Sequence, residues 1–215
     1  YLLSGMADVA LRTGDEALKA ACRRLFDSAV SKRMYVTGGV GSSNLGEAFT
    51  LDYDLPSDTA YAETCASIAL IFAARRMLEI EVLGVYGDAM ERALYNTCLA
   101  GMSLDQQTFF YVNPLSVYPE ASKRDDRKRH VLPVRPKWFG CACCPPNLAR
   151  LLSSLALYAF SVDGAFLNIH LYIQGEMLLD VGGQEVSLKV TTDYPKDGRV
   201  RLGLSAGAYS LRLRL

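Results

Sequence analysis

The sequence predicts an α+β chain, with helical hairpins up to about residue 161 and an antiparallel sheet module after it. Two patterns carry that prediction. Apolar residues recur at helical spacing through the first part, and after Val162-Asp163-Gly164 they fall into short runs, several alternating with period two. Half of the residues are hydrophobic, enough to pack a core and too many for a disordered chain.

From Met6 to about Met34 the apolar positions Ala7, Leu11, Leu18, Leu25, Phe26 and Ala29 mark two helices, and Thr13-Gly14-Asp15 separates them. Thr37 to Gly46 is too rich in glycine for a regular element, and Asp52 to Asp58 is a second turn-forming stretch. Cys65 to about Leu83 is strongly helical. Gly84 to Gly87 reads as an interruption, with Asp88 capping a further helix to about Leu99. Thr108 to Val112, aromatic and β-branched, reads as a strand, and Pro119 to Lys137 as an exposed loop. Pro145-Pro146 opens a helix to about Phe160, since proline is harmless in a first helical turn. The strand-like runs are Phe166–Ile173, Glu176–Val181, Glu185–Thr191, Arg199–Leu204 and Tyr209–Leu215. Gly182-Gly183 and Lys196-Asp197-Gly198 supply turns between them.

Lys plus Arg and Asp plus Glu both number 23, so no net field draws nucleic acid or an anionic membrane. The mixed charges of Lys123 to Arg129 read as a solvated loop. No apolar run is long enough to span a membrane. Three of the six cysteines crowd into Cys141-Ala142-Cys143-Cys144. That crowding points to metal or catalysis more than to disulfides, and so to a reducing, cytoplasmic setting. Both ends read as cuts through structure, so a fragment of a longer protein is expected.

Glu63-Thr64-Cys65 and Cys143-Cys144 form a candidate metal set. Residues two apart share a side only in an extended chain, so Glu63 and Cys65 suggest an extended approach to the following helix. Two thiols ahead of a helix feel its free N–H groups and dipole, which favour the thiolate. Three sulfurs and a carboxylate would suit tetrahedral zinc. Cys141 and Cys144 have the more usual spacing for zinc and are an alternative pair. Small buried hydrophobes, the common fate of free cysteine, are the plainer one; Cys22 and Cys98 are read that way. Glu47 follows the glycine-rich loop and could stand at the edge of a pocket, although an isolated loop acid is usually just solvated. The loop has no Gly-Lys-Ser/Thr, which excludes a phosphate loop. Trp138 and Phe139 are read as core, with stacking on a sugar face as the alternative. His130 and His170 are read as ordinary loop and strand residues.

Taken in order, Thr37-Gly-Gly-Val-Gly-Ser-Ser43, Gly46-Glu47, Tyr61-Ala-Glu63-Thr-Cys65-Ala66, Glu91-Arg-Ala-Leu-Tyr95-Asn96, Phe110-Tyr111-Val-Asn-Pro114 and Cys141-Ala-Cys143-Cys144-Pro-Pro-Asn147 resemble glycoside hydrolase family 127, the β-L-arabinofuranosidases. The order of these motifs is far more specific than any one of them. The resemblance implies an (α/α)6 catalytic barrel followed by β-sandwich modules, with residues 1–161 the C-terminal part of the barrel and 162–215 the start of a sandwich. It implies zinc held by Glu63, Cys65, Cys143 and Cys144, with Cys143 as nucleophile and Glu47 as general acid/base. Glu91 and Tyr111 would contact the sugar, and Cys141 would be a bystander. The implied activity is retaining hydrolysis of β-L-arabinofuranosides or related sugars, the substrate an arabinose-containing oligosaccharide or glycoconjugate. Pocket histidines of the family belong to a part of the barrel outside this sequence. The sequence leaves room for a homodimer.

Two rival readings are a non-catalytic zinc-stabilised scaffold or carbohydrate-binding fragment, and a thiol–disulfide protein built on Cys141 and Cys144. The latter lacks the expected βαβ pattern around its cysteines.

Overall fold

The computed structural model describes residues 1–215, which divide into two compact units, Tyr1–Leu152 and Ser153–Leu215. No helix is long and apolar enough to cross a membrane.

In the first unit α1 (Leu2–Thr13) and α2 (Glu16–Lys32) form the expected hairpin. Gly14 takes the left-handed conformation that ends α1, and the Asp15 carboxylate accepts the Leu18 N–H at 2.9 Å to start α2. The central helix α3 (Thr64–Ile80) is buried on nearly every side, with Ile68, Ile71 and Met77 almost inaccessible. That is why its sequence is apolar all round rather than on one stripe.

The break expected at Gly84–Gly87 falls three residues earlier, at Glu81–Leu83. Helix α4 (Gly84–Ala93) begins at Gly84, so Asp88 lies inside it and caps nothing. The chain continues through a π-helical turn, Leu94–Cys98, into α5 (Leu99–Gly101). Tertiary packing of Tyr86, Ala89 and Met90 outweighs the low helix propensity of the two glycines.

Thr108–Val112 is not a strand either. It makes only isolated bridges, Met102 with Phe109 and Glu63 with Val112, and its backbone is spent on anchoring. Thr64 donates from its N–H to the Tyr111 carbonyl at 2.9 Å and from Oγ1 to the Phe110 carbonyl at 2.9 Å. Asn113 Nδ2 reaches the Ala62 carbonyl at 3.0 Å. The stretch read as loop holds a short helix α6 (Pro119–Arg124) and a 3₁₀ turn, Asp126–Lys128. Helix α7 (Cys144–Ser153) starts at the paired cysteines but stops short of Phe160.

The glycine-rich loop is fixed by close approach. Gly38 has φ +82°, and a Cβ there would lie 2.5 Å from the Ala93 backbone nitrogen. Next to it, Thr97 Oγ1 donates to the Thr37 carbonyl at 2.8 Å. Gly38→Ala combines a left-handed φ with a backbone clash and is expected to cost about 3 kcal/mol, a fall of roughly 6–12 °C in thermal unfolding. A melting temperature unchanged from wild type would show that the loop tolerates a side chain.

In the second unit a short α8 (Ala156–Ala159) leads into β1 (Phe160–Asp163), where the sequence suggested the end of a helix. A short apolar run such as Leu155 to Phe160 does not distinguish helix from strand. β2 (Phe166–Ile169) follows, then β3 (Gly175–Val181), β4 (Gln184–Thr192), β5 (Val200–Leu204) and β6 (Ser210–Leu213). β3-β4-β5 is an antiparallel meander, turned at Gly182-Gly183 with φ of 63° and 80°. Val186, Leu188 and Val190 alternate into its core. The other sheet has the order β1-β2-β6. It is not purely antiparallel: β2 pairs with β6 in parallel, which a hairpin pattern does not reveal.

Candidate metal and active site

Two helix starts bring the four predicted ligands together. Glu63 occupies the N-cap of α3 in an extended conformation, and its side chain caps no N–H, which leaves the carboxylate free for other partners. Cys65 already lies in the first helical turn, so the pair straddles the helix boundary rather than preceding it. Ala62, just ahead, is held at φ +39° by an N–H bond to the Gly41 carbonyl of 2.7 Å. A left-handed alanine costs energy, and here it aims the helix start. Cys143 and Cys144 stand at the start of α7, where the Asn147 N–H bonds the Cys143 carbonyl at 3.2 Å.

The ligand atoms of Glu63, Cys65, Cys143 and Cys144 all lie within 4.8 Å of one another. Cys65 Sγ is 3.6 Å from Cys144 Sγ, Cys143 Sγ is 3.8 Å from Cys144 Sγ, and Cys143 Sγ is 3.6 Å from Glu63 Oε1. A tetrahedral ion with sulfur at ~2.3 Å has ligand–ligand edges of about 3.8 Å, so the spacing fits zinc. The charges on the four groups are tightly linked. Burial lifts the Glu63 carboxyl to about 7 and Cys143 to about 12. The hydrogen bond with Cys144 lowers Cys65 to about 6, and that same bond with burial raises Cys144. One sulfur thus ionises at its neighbours' expense, and a cation held among the four would let the others ionise with it.

Three of the ligands are buried, whereas Cys143 is partly exposed and lines a cavity of about 990 Å³. Glu47 lines the same cavity, at the end of the glycine-rich loop with φ +50°. Its Oε1 accepts the Tyr61 hydroxyl at 2.8 Å and the Tyr111 hydroxyl at 3.4 Å. Tyr111 lines the cavity beside Cys143 and lies near enough to favour its thiolate. Burial raises Tyr61 and Tyr111 above the usual phenol range, which keeps both as donors.

Tyr61 and Asn147, which the motifs contain without a role, join the site, and so does His130, which the sequence suggests is an ordinary loop residue. Tyr61 Oη holds Glu47, and its ring packs on Tyr111 at 5.9 Å and on His130 at 5.9 Å. The Asn147 side chain lies near enough to Cys65 to help lower its thiol, and it hydrogen-bonds the Tyr1 hydroxyl. The available signal was adjacency: Tyr61 precedes Glu63 by two, and Asn147 ends the Cys-Cys-Pro-Pro motif. His130 carries no local pattern, because a contact 69 residues away in sequence gives it its place.

Glu91 lies in α4, and neither this cavity nor the neighbouring one includes it. Cys141 is exposed and stays outside the four-ligand set, although it lines the cavity. Trp138 is not core: it is 76% exposed. Phe139 is half-buried against Tyr111, ring centroids 5.7 Å apart. Cys22 and Cys98 are fully buried, as expected of core thiols.

A family model described as the β-L-arabinofuranosidase GH127 catalytic domain matches residues 2–157. The chain is 41% identical over 210 residues to a non-reducing end β-L-arabinofuranosidase of Bifidobacterium longum subsp. longum, a match over 97% of this chain and 31% of that protein. It superposes on a crystal structure of a GH127 β-L-arabinofuranosidase from Geobacillus stearothermophilus T6 with a TM-score of 0.96 and 54% identity. That match covers all of this chain and 34% of the other. A solved GH127 β-arabinofuranosidase matches with a TM-score of 0.89 and 38% identity, again over all of this chain and 32% of the other. The chain therefore spans about a third of the length of these relatives. With matching motif order, fold and family model, the chain belongs to glycoside hydrolase family 127, in the part of the sequence that the catalytic-domain model describes.

Proposed function

We propose that the full-length protein is a retaining glycoside hydrolase acting on β-L-arabinofuranosides or closely related sugars. On this reading the first unit is the C-terminal part of an (α/α)6 barrel and the second the start of a β-sandwich. The observation that carries the activity is the position of Cys143. It is the one partly exposed member of the ligand set, and it lines the same cavity as Glu47. Retaining enzymes need such a pair in one cavity, about 5–5.5 Å apart rather than the ~6.5–9.5 Å of inverting ones.

Glu63, Cys65, Cys143 and Cys144 would hold zinc, which when bound keeps sulfur deprotonated at neutral pH and fixes its direction. The Cys143 sulfur attacks the anomeric carbon, and its electron pair forms the C–S bond. The C–O bond to the leaving group breaks, and the departing oxygen takes a proton from Glu47. Glu47, now a carboxylate, removes a proton from water, and the resulting oxygen displaces the sulfur with overall retention. Tyr61 pins Glu47 Oε1 throughout, which leaves Oε2 to carry the proton. The substrate would be an arabinose-containing oligosaccharide or glycoconjugate.

A zinc-stabilised scaffold is the second reading, favoured by the closed set of four protein ligands that structural zinc sites use. A furanose-mimicking cyclitol epoxide separates the two. The glycosidase reading expects the intact mass of the full-length protein to rise by one inhibitor, with peptide mapping to Cys143. No adduct would favour the scaffold, and an adduct on Cys141 would move the nucleophile.

A further inference from the structure

Glu47, Tyr111 and Cys141 line two neighbouring cavities. The larger holds Cys143, Glu63 and Cys65. The smaller, about 420 Å³, holds none of the four metal-set residues. Instead Tyr61, Phe110 and Phe139 line it, with His130 beside them. Phe139 and Tyr111 meet edge to face at 72°, so their rings form an aromatic corner. Its volume falls within the ~300–1,000 Å³ of small-molecule sites.

In an attack of sulfur on a glycoside, the proton goes to the bridging oxygen. The acid must therefore stand between the ring that stays on the sulfur and the group that leaves. Glu47 is the acid common to both cavities, and only one of them contains the sulfur. We propose that the smaller cavity is the leaving-group subsite and takes one saccharide ring, whose C–H face packs into the corner of Phe139 and Tyr111. This rests on the glycosidase reading and adds to it a preference for a sugar, rather than a small alcohol, as leaving group.

Gly140 supplies the means of testing it. It lines the smaller cavity only, its φ lies outside the left-handed region, and a Cβ there meets nothing within 4 Å. Gly140→Phe in the full-length protein thus adds bulk at the lining of this cavity without a backbone clash. Its kcat/KM is compared with wild type on two substrates, an arabinofuranosyl disaccharide and the methyl arabinofuranoside, whose methanol does not extend into the subsite. The expected result is a loss at least about tenfold greater for the disaccharide, with zinc content equal to wild type. Phe139→Ala, which removes one side of the corner, is expected to shift the ratio in the same direction by a smaller factor. Equal losses on both substrates, or none on the disaccharide, would overturn the subsite. A wild-type protein that cleaves neither substrate would instead overturn the glycosidase reading on which it rests.

Discussion

Cys65→Ala in the full-length protein is expected to lower bound zinc from about one ion per chain to near zero and to bring turnover to background. Cys65 is buried against Cys144, with the two Sγ atoms 3.6 Å apart, so no solvent-borne ligand can replace it easily. Without a cation, Glu63, Cys143 and Cys144 lose the charge that permits all of them to ionise together. The loss should show in stability too, on the order of the 3–5 kcal/mol that follows the breaking of a buried charge pair. Cys144→Ala should behave alike. Cys141→Ser should not, because Cys141 is exposed and outside the ligand set. Elemental analysis of the purified variants decides the matter. Zinc kept in Cys65→Ala and lost in Cys141→Ser would restore the Cys141–Cys144 pair that spacing alone allowed.

That contrast marks where the sequence was readable. Cys143-Cys144 ahead of two prolines announces thiols at a helix start, because proline in a first turn and a cysteine ahead of it are both local features. The companion ligands lie about 80 residues earlier, and only the motif order joined them to the pair. Helix α3 was legible from its apolar content, and the β3–β4 hairpin from its glycine pair and alternation. The misreadings share one cause. Local propensity puts a break at Gly84–Gly87 and a strand at Thr108–Val112, and long-range packing moves the first and removes the second. The 108–113 segment spends its backbone groups on the start of α3, with Thr64 and Asn113 as the ties, so no ladder forms. Trp138 looked like core because tryptophan usually is, yet it follows a proline-rich stretch that runs along the surface. Tyr61 and His130 stayed invisible because their part in the site consists of contacts with residues distant in sequence, Glu47 and Tyr111 above all.

Glu47→Gln is expected to reduce kcat/KM by about 10²–10⁴-fold on an arabinofuranosyl sugar, the usual contribution of a positioned proton donor. The loss on a nitrophenyl arabinofuranoside should be much smaller, because nitrophenolate leaves readily without a proton. Glutamine keeps the shape of glutamate and can still accept the Tyr61 hydroxyl through its carbonyl, so the loop geometry at Gly46-Glu47 survives the exchange. What disappears is the acidic proton, and with it the base that later activates water. On the nitrophenyl substrate the first step should then outrun the second. A burst of nitrophenol followed by slow turnover is expected, with one sugar held on Cys143 by intact mass. Azide, a nucleophile that needs no deprotonation, should release that sugar and restore turnover. If the variant loses the same factor on both substrates and azide changes nothing, Glu47 is a structural post for Tyr61 and Tyr111, and the acid must come from elsewhere in the protein.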